Sequence, residues 1–186
     1  MKLKFAKKDI LTIPNMLSFF RIILIPVIVV LYVRYQKYGW TTFLIILSGA
    51  TDIVDGWIAR NFNMISDFGK ILDPIADKLT QAAILLCLVS RFPSMIYIFL
   101  FMAVKETIMG ITGLLSIKYS GKVNGADWHG KLTTVMLYAM MLVHIVWYNI
   151  PNTVSNILLM IVASVMLISL TLYCSHNMEI VRRNKR

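Results

Sequence analysis

Between positions 52 and 79 the chain reads DIVDGWIARNFNMISDFGKILDPIADKL, and five of its nine acidic residues (Asp52, Asp55, Asp67, Asp73 and Asp77) fall there. A carboxylate beside hydrocarbon is costly, so a cluster of them in a strongly apolar chain marks a functional site. Asp52, Asp55, Gly56 and Ala59 are spaced i, i+3, i+4, i+7, one face of a helix. Gly69, Asp73 and Asp77 follow at i, i+4, i+8, one face of a second helix. Folded together by the short polar turn between them, the two faces offer an oxygen-rich pocket suited to hard divalent cations. The plainer alternative is that these carboxylates pair with Arg60, Lys70 and Lys78 at a membrane edge. The regularity of the spacing favours the cation. Asp67 lies off both faces and reads as a solvated residue or a helix cap.

The elements that position this cluster follow from composition. With 186 residues, 58% of them hydrophobic, and a mean hydropathy of +0.72, the chain is too apolar for an ordinary soluble domain. The expected fold is an all-α integral membrane protein: six transmembrane helices and a short N-terminal amphipathic segment, forming one domain over 1–186. Apolar spans of roughly the length that crosses a bilayer lie at about 15–36, 40–60, 70–91, 94–118, 130–149 and 153–176. Pro93 and Pro151 mark helix starts, and Gly121, Asn124 and Gly125 break the loop before the fifth span. Residues 1–13 interleave Lys2, Lys4, Lys7 and Lys8 with Leu3, Phe5, Ile10 and Leu11, a basic segment for an anionic membrane surface. The following run is too long for a signal peptide and shows no small-residue cleavage site, so the segment is expected to be retained.

Net charge is +10. The basic residues flank apolar spans, so their partners are lipid headgroups and anionic substrates, with no nucleic acid. Lysines and arginines concentrate at the N-terminus, the second–third and fourth–fifth connections, and the 177–186 tail; the other side carries Arg34, Lys37 and Arg91. The positive-inside rule then places both termini and the carboxylate cluster on the cytoplasmic side of a cell membrane. Cys87 and Cys174 lie in apolar runs and read as packing residues.

The cluster fits D-x-x-D-G-x-x-A-R-x8-G-x3-D-x3-D at all eight fixed positions: Asp52, Asp55, Gly56, Ala59, Arg60, Gly69, Asp73 and Asp77. It resembles the signature of the CDP-alcohol phosphatidyltransferase family, and length, span number and amphipathic start agree with that family over essentially the whole chain. The resemblance implies a bacterial membrane enzyme, a homodimer, that transfers a phosphatidyl group from CDP-diacylglycerol to an alcohol. It implies Mg²⁺ or Mn²⁺, two ions, on Asp52, Asp55, Asp73 and Asp77, with Asp77 also the general base. It implies that Gly56, Ala59, Arg60 and Gly69 contact the CDP moiety. The physical chemistry agrees with these roles. Cations neutralise a pyrophosphate in the transition state, glycines permit close approach, arginine forks onto phosphate, and a carboxylate accepts the attacking hydroxyl's proton.

The acceptor is read from weaker signals. The opening Ile13-Pro14-Asn15-Met16-Leu17-Ser18-Phe19-Phe20-Arg21-Ile22 resembles the phosphatidylglycerophosphate synthase branch and its cardiolipin synthase relatives. Asn15, Ser18 and Arg21 fall at i, i+3, i+6 and are able to face the pocket, with Arg21 holding a phosphate or a metal-site carboxylate. Alternatively, Asn15 or Ser18 caps the helix and Arg21 snorkels. Lys105 and Glu106 are adjacent in the fourth span, where that branch has Arg-Glu; side chains about 100° apart on a helix serve different neighbours or an internal charge network. At Gly130-Lys131-Leu132-Thr133-Thr134 the branch's G-K-x-K-T loses its second lysine. Asn15, Arg21, Lys105 and Lys131 are therefore the candidate acceptor and phosphate residues.

His129 reads as a solvated interfacial residue, His144 and His176 as structural, and the methionines and aromatics as lipid-facing packing. The leading expectation is transfer to sn-glycerol 3-phosphate, giving phosphatidylglycerophosphate. The first rival is cardiolipin synthesis with phosphatidylglycerol as acceptor. More remote are a prenyltransferase, which needs a second Asp-rich motif, and a non-catalytic cation transporter, which leaves Gly56, Ala59, Arg60 and Gly69 without a task.

Overall fold

The computed structural model describes residues 12–62, 66, 68–120, 128–147 and 149–184, with the side chains of residues 60, 70, 71, 120 and 184 outside that description. Residues 1–11 of the basic N-terminal segment, Asp67 and the loop glycines Gly121 and Gly125 with Asn124 lie outside the described residues. No strand occurs among the described residues. Among the described residues six long helices follow one another: α1 (Ile13–Val29, continued by a π-helical stretch Val30–Arg34), α2 (Tyr38–Asn61), α3 (Gly69–Val89), α4 (Met95–Ser120), α5 (Trp128–Val146) and α6 (Asn152–Asn184).

Five of them are long and apolar enough to cross a membrane. The exception is α3, whose 21 residues include Lys70, Asp73, Asp77 and Lys78. Its length is that of a span, and its charges are those of the candidate site. The burial pattern is the reverse of a soluble protein's. Ile23, Ile53, Leu114, Val135 and Met160 are exposed, whereas Asn15, Arg21, Asp55, Gln81, Lys105 and His144 are buried. Only a hydrocarbon solvent makes that arrangement favourable, because it rewards apolar surface outside and requires polar groups to find partners inside. This is an integral membrane protein.

The chain divides into two compact units, residues 1–91 and 92–186. In the first, α1 packs against both α2 and α3. The turn from α1 to α2 is tight, with Gln36 in the left-handed region at φ 50°. Tyr32 packs edge-on against Tyr38 with ring centroids 5.3 Å apart, and the Arg91 guanidinium lies 5.6 Å from the centre of the Tyr38 ring.

In the second unit α6 packs against α4 and α5. Helix association in lipid depends on packing and on polar ties, since burial against lipid tails gives no hydrophobic gain. His144 supplies one tie: its Nδ1 lies 2.8 Å from the Met140 carbonyl, and its Nε2 lies 2.9 Å from Ser155 Oγ on α6. A second runs from Asn177 Nδ2 to Thr112 Oγ1 at 3.2 Å, joining α6 to α4.

Two sequence expectations are corrected here. The sixth helix does not stop near 176 but runs to Asn184, with Arg183 donating to Glu179 one turn back at 2.5 Å. Charged side chains that pair i, i+4 carry a helix beyond its apolar stretch. His129 is buried rather than solvated, its ring 4.5 Å from that of Tyr173 and its Nδ1 3.3 Å from Ser169 Oγ. Gly130 beside it leaves the room, since a Cβ there would stand 2.9 Å from the Tyr173 hydroxyl.

Candidate functional site

The site in the first unit is built around one face of α1. Asn15, Ser18 and Arg21 lie one turn apart along it, and all three are buried. Helix α1 begins at Ile13 with a proline in its first turn, and Thr12 stands at its N-cap. Neither Asn15 nor Ser18 caps it. The Ser18 hydroxyl goes instead to α3 and to the Pro14 carbonyl of its own helix, and the Asn15 amide goes to Ser66, just ahead of α3.

Arg21 spans the two carboxylates of α2. Its Nη1 donates to Asp52 Oδ1, and its Nη2 donates to Asp55 Oδ2 at 2.9 Å. The side chains of Arg21 and Asp55 are only 1% and 4% exposed, while that of Asp52 is 47% exposed. The guanidinium therefore neutralises the deep carboxylate, and the shallow one opens outward. Arg21 Nε is buried with no hydrogen-bond partner among the described residues. An arginine one turn inside an apolar span requires such counter-charges, and two carboxylates at i, i+3 on one helix suit its fork.

Ser18 turns to the other neighbour, donating to Asp73 Oδ1 on α3, with the Pro14 carbonyl at 3.2 Å as a second acceptor. Asp55 lies within electrostatic reach of both Asp52 and Asp73. Carboxylates from α2 and α3 thus share one field, with α1 supplying the groups that offset it.

Asn15 closes the end of the site. Its amide exchanges hydrogen bonds with the Ser66 hydroxyl at 3.1 and 3.2 Å, and Ser66 Oγ accepts the backbone N–H of Gly69 at 2.9 Å. Gly69 opens α3 directly beneath this pair. A Cβ at Gly69 would stand 2.5 Å from Asn15 Oδ1 and 3.0 Å from Ser66 Oγ, so the close approach of α1 to α3 requires glycine there. Two turns on, Asp77 is half-buried and its Oδ2 accepts a hydrogen bond from Gln81 Nε2 at 3.0 Å.

Gly56 and Ala59 are half-buried on α2, and Arg60 follows on the same helix with its side chain outside the described residues. Lys105 and Lys131 belong to the second unit. Lys105 is buried on α4, and its Nζ donates to Glu106 Oε1 at 3.1 Å. The expectation that these neighbours serve different partners is therefore corrected in part. A four-carbon stem is long enough to cross the 100° between adjacent helical positions when hydrocarbon leaves few better acceptors. Lys131 is exposed on α5.

Sequence reasoning missed Ser66 and Gln81. Both had a local signal: serine three residues ahead of the first helical glycine is a cap spacing, and glutamine four residues after Asp77 shares its helix face.

The donor set consists of hard carboxylate oxygens, the right chemistry for Mg²⁺ or Mn²⁺. Among the described residues, however, no three Asp, Glu, His or Cys side chains converge closely enough to hold an ion. The hydrogen bonds give the reason, because Arg21 engages Asp52 and Asp55 while Ser18 engages Asp73. Donors of the right type are gathered on two helices that both pack against α1, each held by a protein group that a cation would replace or join.

Comparison with known proteins adds a second, independent line. A family profile described as CDP-alcohol phosphatidyltransferase matches residues 11–172, running across both compact units. The chain is similar to the CDP-diacylglycerol–glycerol-3-phosphate 3-phosphatidyltransferase of Bacillus subtilis, 30% identical over 157 residues, 75% of this chain and 78% of that protein. It is similar to the protein of the same name from Rickettsia typhi, 40% identical over 83 residues, 42% of this chain and 46% of that protein. It is also similar to a cardiolipin synthase (CMP-forming) / mitochondrial hydrolase fusion protein of Schizosaccharomyces pombe, 42% identical over 86 residues, 46% of this chain and 14% of that protein. Against the latter two, the match spans less than half the length of the relative.

Proposed function

This chain belongs to the CDP-alcohol phosphatidyltransferase family, and on that premise we propose that it transfers a phosphatidyl group from CDP-diacylglycerol to an alcohol, with sn-glycerol 3-phosphate as the acceptor. The observation that carries the proposal is the set of family-motif carboxylates on α2 and α3, held in one electrostatic field by Arg21 and Ser18 of α1. Two relatives bearing the glycerol-3-phosphate transferase name support the acceptor.

Asp52, Asp55, Asp73 and Asp77 would hold the divalent cations, Mg²⁺ or Mn²⁺ and two in number, which offset the charge of the pyrophosphate. The remaining steps belong to the chain's own groups. Gly56 leaves room for the nucleotide to lie against the helix backbone, while the lack of a side chain at Gly69 lets Asn15 and Ser66 close over the start of α3. Arg60 is the fork for its phosphates. Arg21 keeps the carboxylates of α2 oriented in a medium where unpaired charge is prohibitive. Asp77 accepts the proton of the acceptor hydroxyl as its oxygen attacks the lipid-side phosphorus. The bond from that phosphorus to the bridging pyrophosphate oxygen breaks, and CMP leaves with the electron pair. One bond forms, one breaks, and no covalent enzyme intermediate is needed.

A second acceptor has a specific observation in its favour. The cardiolipin synthase relative is named CMP-forming, and here Thr133 stands where a second basic residue would favour a phosphorylated acceptor. The distribution of basic residues further supports an orientation with both termini and the carboxylate site facing the cytoplasm.

The test is CMP release from CDP-diacylglycerol by purified protein with Mg²⁺ or Mn²⁺, one acceptor at a time. Release with glycerol 3-phosphate is the expected result. Release with phosphatidylglycerol alone would move the acceptor while keeping the family chemistry. No release with any alcohol would overturn the proposal.

A further inference from the structure

Gln81 belongs to no part of the family motif, yet it is fully buried one turn beyond Asp77 on α3. Its Nε2 lies 3.0 Å from Asp77 Oδ2. A carboxylate only accepts, so the amide nitrogen must face it and the amide oxygen must point away. That oxygen, Oε1, is buried without a hydrogen-bond partner among the described residues.

An amide satisfied on one side only, in a membrane interior, works against stability; a leucine or methionine would fill the same space without the orphaned atom. What the amide provides in return is a single directed donor on one oxygen of the carboxylate. From this we infer that Gln81 is a positioning residue for the reaction proposed above. It fixes the plane of the Asp77 carboxylate and engages Oδ2, so that the carboxylate meets the acceptor hydroxyl in one orientation. The inference rests on the assignment of Asp77 as proton acceptor.

The experiment compares Gln81→Met, of matched length without the donor, with Gln81→Leu, using wild type and Asp77→Asn as references. Steady-state CMP release and thermal unfolding are measured on each. Groups that orient a ligating or catalytic carboxylate are worth about 10–100-fold in activity. The expected result is a fall of that size in kcat for both Gln81 variants, KM values for both substrates within about twofold of wild type, and melting temperatures equal to or above it. A purely structural glutamine would instead lower the melting temperature and lose activity in step with folded protein, which would overturn the inference. So would an unchanged kcat in either variant. If wild type releases CMP, Asp77→Asn does not, and the Gln81 variants match wild type, then only the role of Gln81 fails. If wild type releases no CMP, the underlying reaction fails and this inference with it.

Discussion

Two residues decide how the carboxylates coexist. Arg21 and Asp55 form a pair almost wholly removed from solvent, while Asp52 remains half open. Removing one partner of such a pair leaves an uncompensated buried charge, at a cost of about 3–5 kcal/mol. Arg21→Met is therefore expected to unfold at markedly lower temperature, and Arg21→Lys to recover part of the loss because a point charge reaches one carboxylate well but not both. Thermal unfolding in detergent measures this. At Asp77 the expectation concerns rate instead. Asp77→Asn keeps the size of the side chain and loses the base, so CMP release should fall by about 10²–10⁴-fold or more with little change in melting temperature. Gly69 tests packing: Gly69→Ala places a Cβ against Asn15 Oδ1, and Asn15→Ala should relieve part of that damage. A double-mutant cycle with additive losses would show that the two do not press on each other.

At the scale of helices, polar ties rather than apolar burial choose which faces meet. Helix α1 presents Asn15, Ser18 and Arg21 to two different neighbours, so the orientation of α1 fixes both α2 and α3 around the site. In the second unit, His144 performs the corresponding task between α5 and α6. Ser155→Ala would leave the fully buried Nε2 of His144 without its hydroxyl partner. The expected cost is about 1–3 kcal/mol, read as a lowered melting temperature. An unchanged melting temperature would mean that α5 and α6 are held by packing alone.

Across the whole molecule, the inverted distribution of polar and apolar side chains and the placement of basic residues bear on the membrane. The 33 residues of α6 make a helix of about 50 Å, longer than the ~30 Å hydrocarbon core. Its end therefore carries Arg182 and Arg183 into the headgroup region or beyond. With four basic residues among the last five positions, the positive-inside rule supports the proposed placement of this end in the cytoplasm. A C-terminal fusion to a reporter that works only in the cytoplasm should be active, and one that works only after export should be silent. The opposite pattern would invert the proposed topology and place the carboxylate site on the far side.

The six described helices, most of their limits to within a few residues, and the eight-position motif were legible in the sequence because each is set by local quantities: span length, prolines at helix starts, and the spacing of side chains on one face. The extension of α6 past position 176 was missed because that part of the helix is held by charge pairing rather than hydropathy. The sequence also placed Asn15, Ser18 and Arg21 on a common face of α1. It left open what each one touches. That Arg21 bridges both carboxylates of α2, that Ser18 reaches Asp73, and that Ser66 seats Asn15 over Gly69 are contacts between residues 31 to 55 positions apart. No periodicity encodes such pairings. They follow from which helix faces which, and in lipid that choice is made by the few polar groups that must find one another.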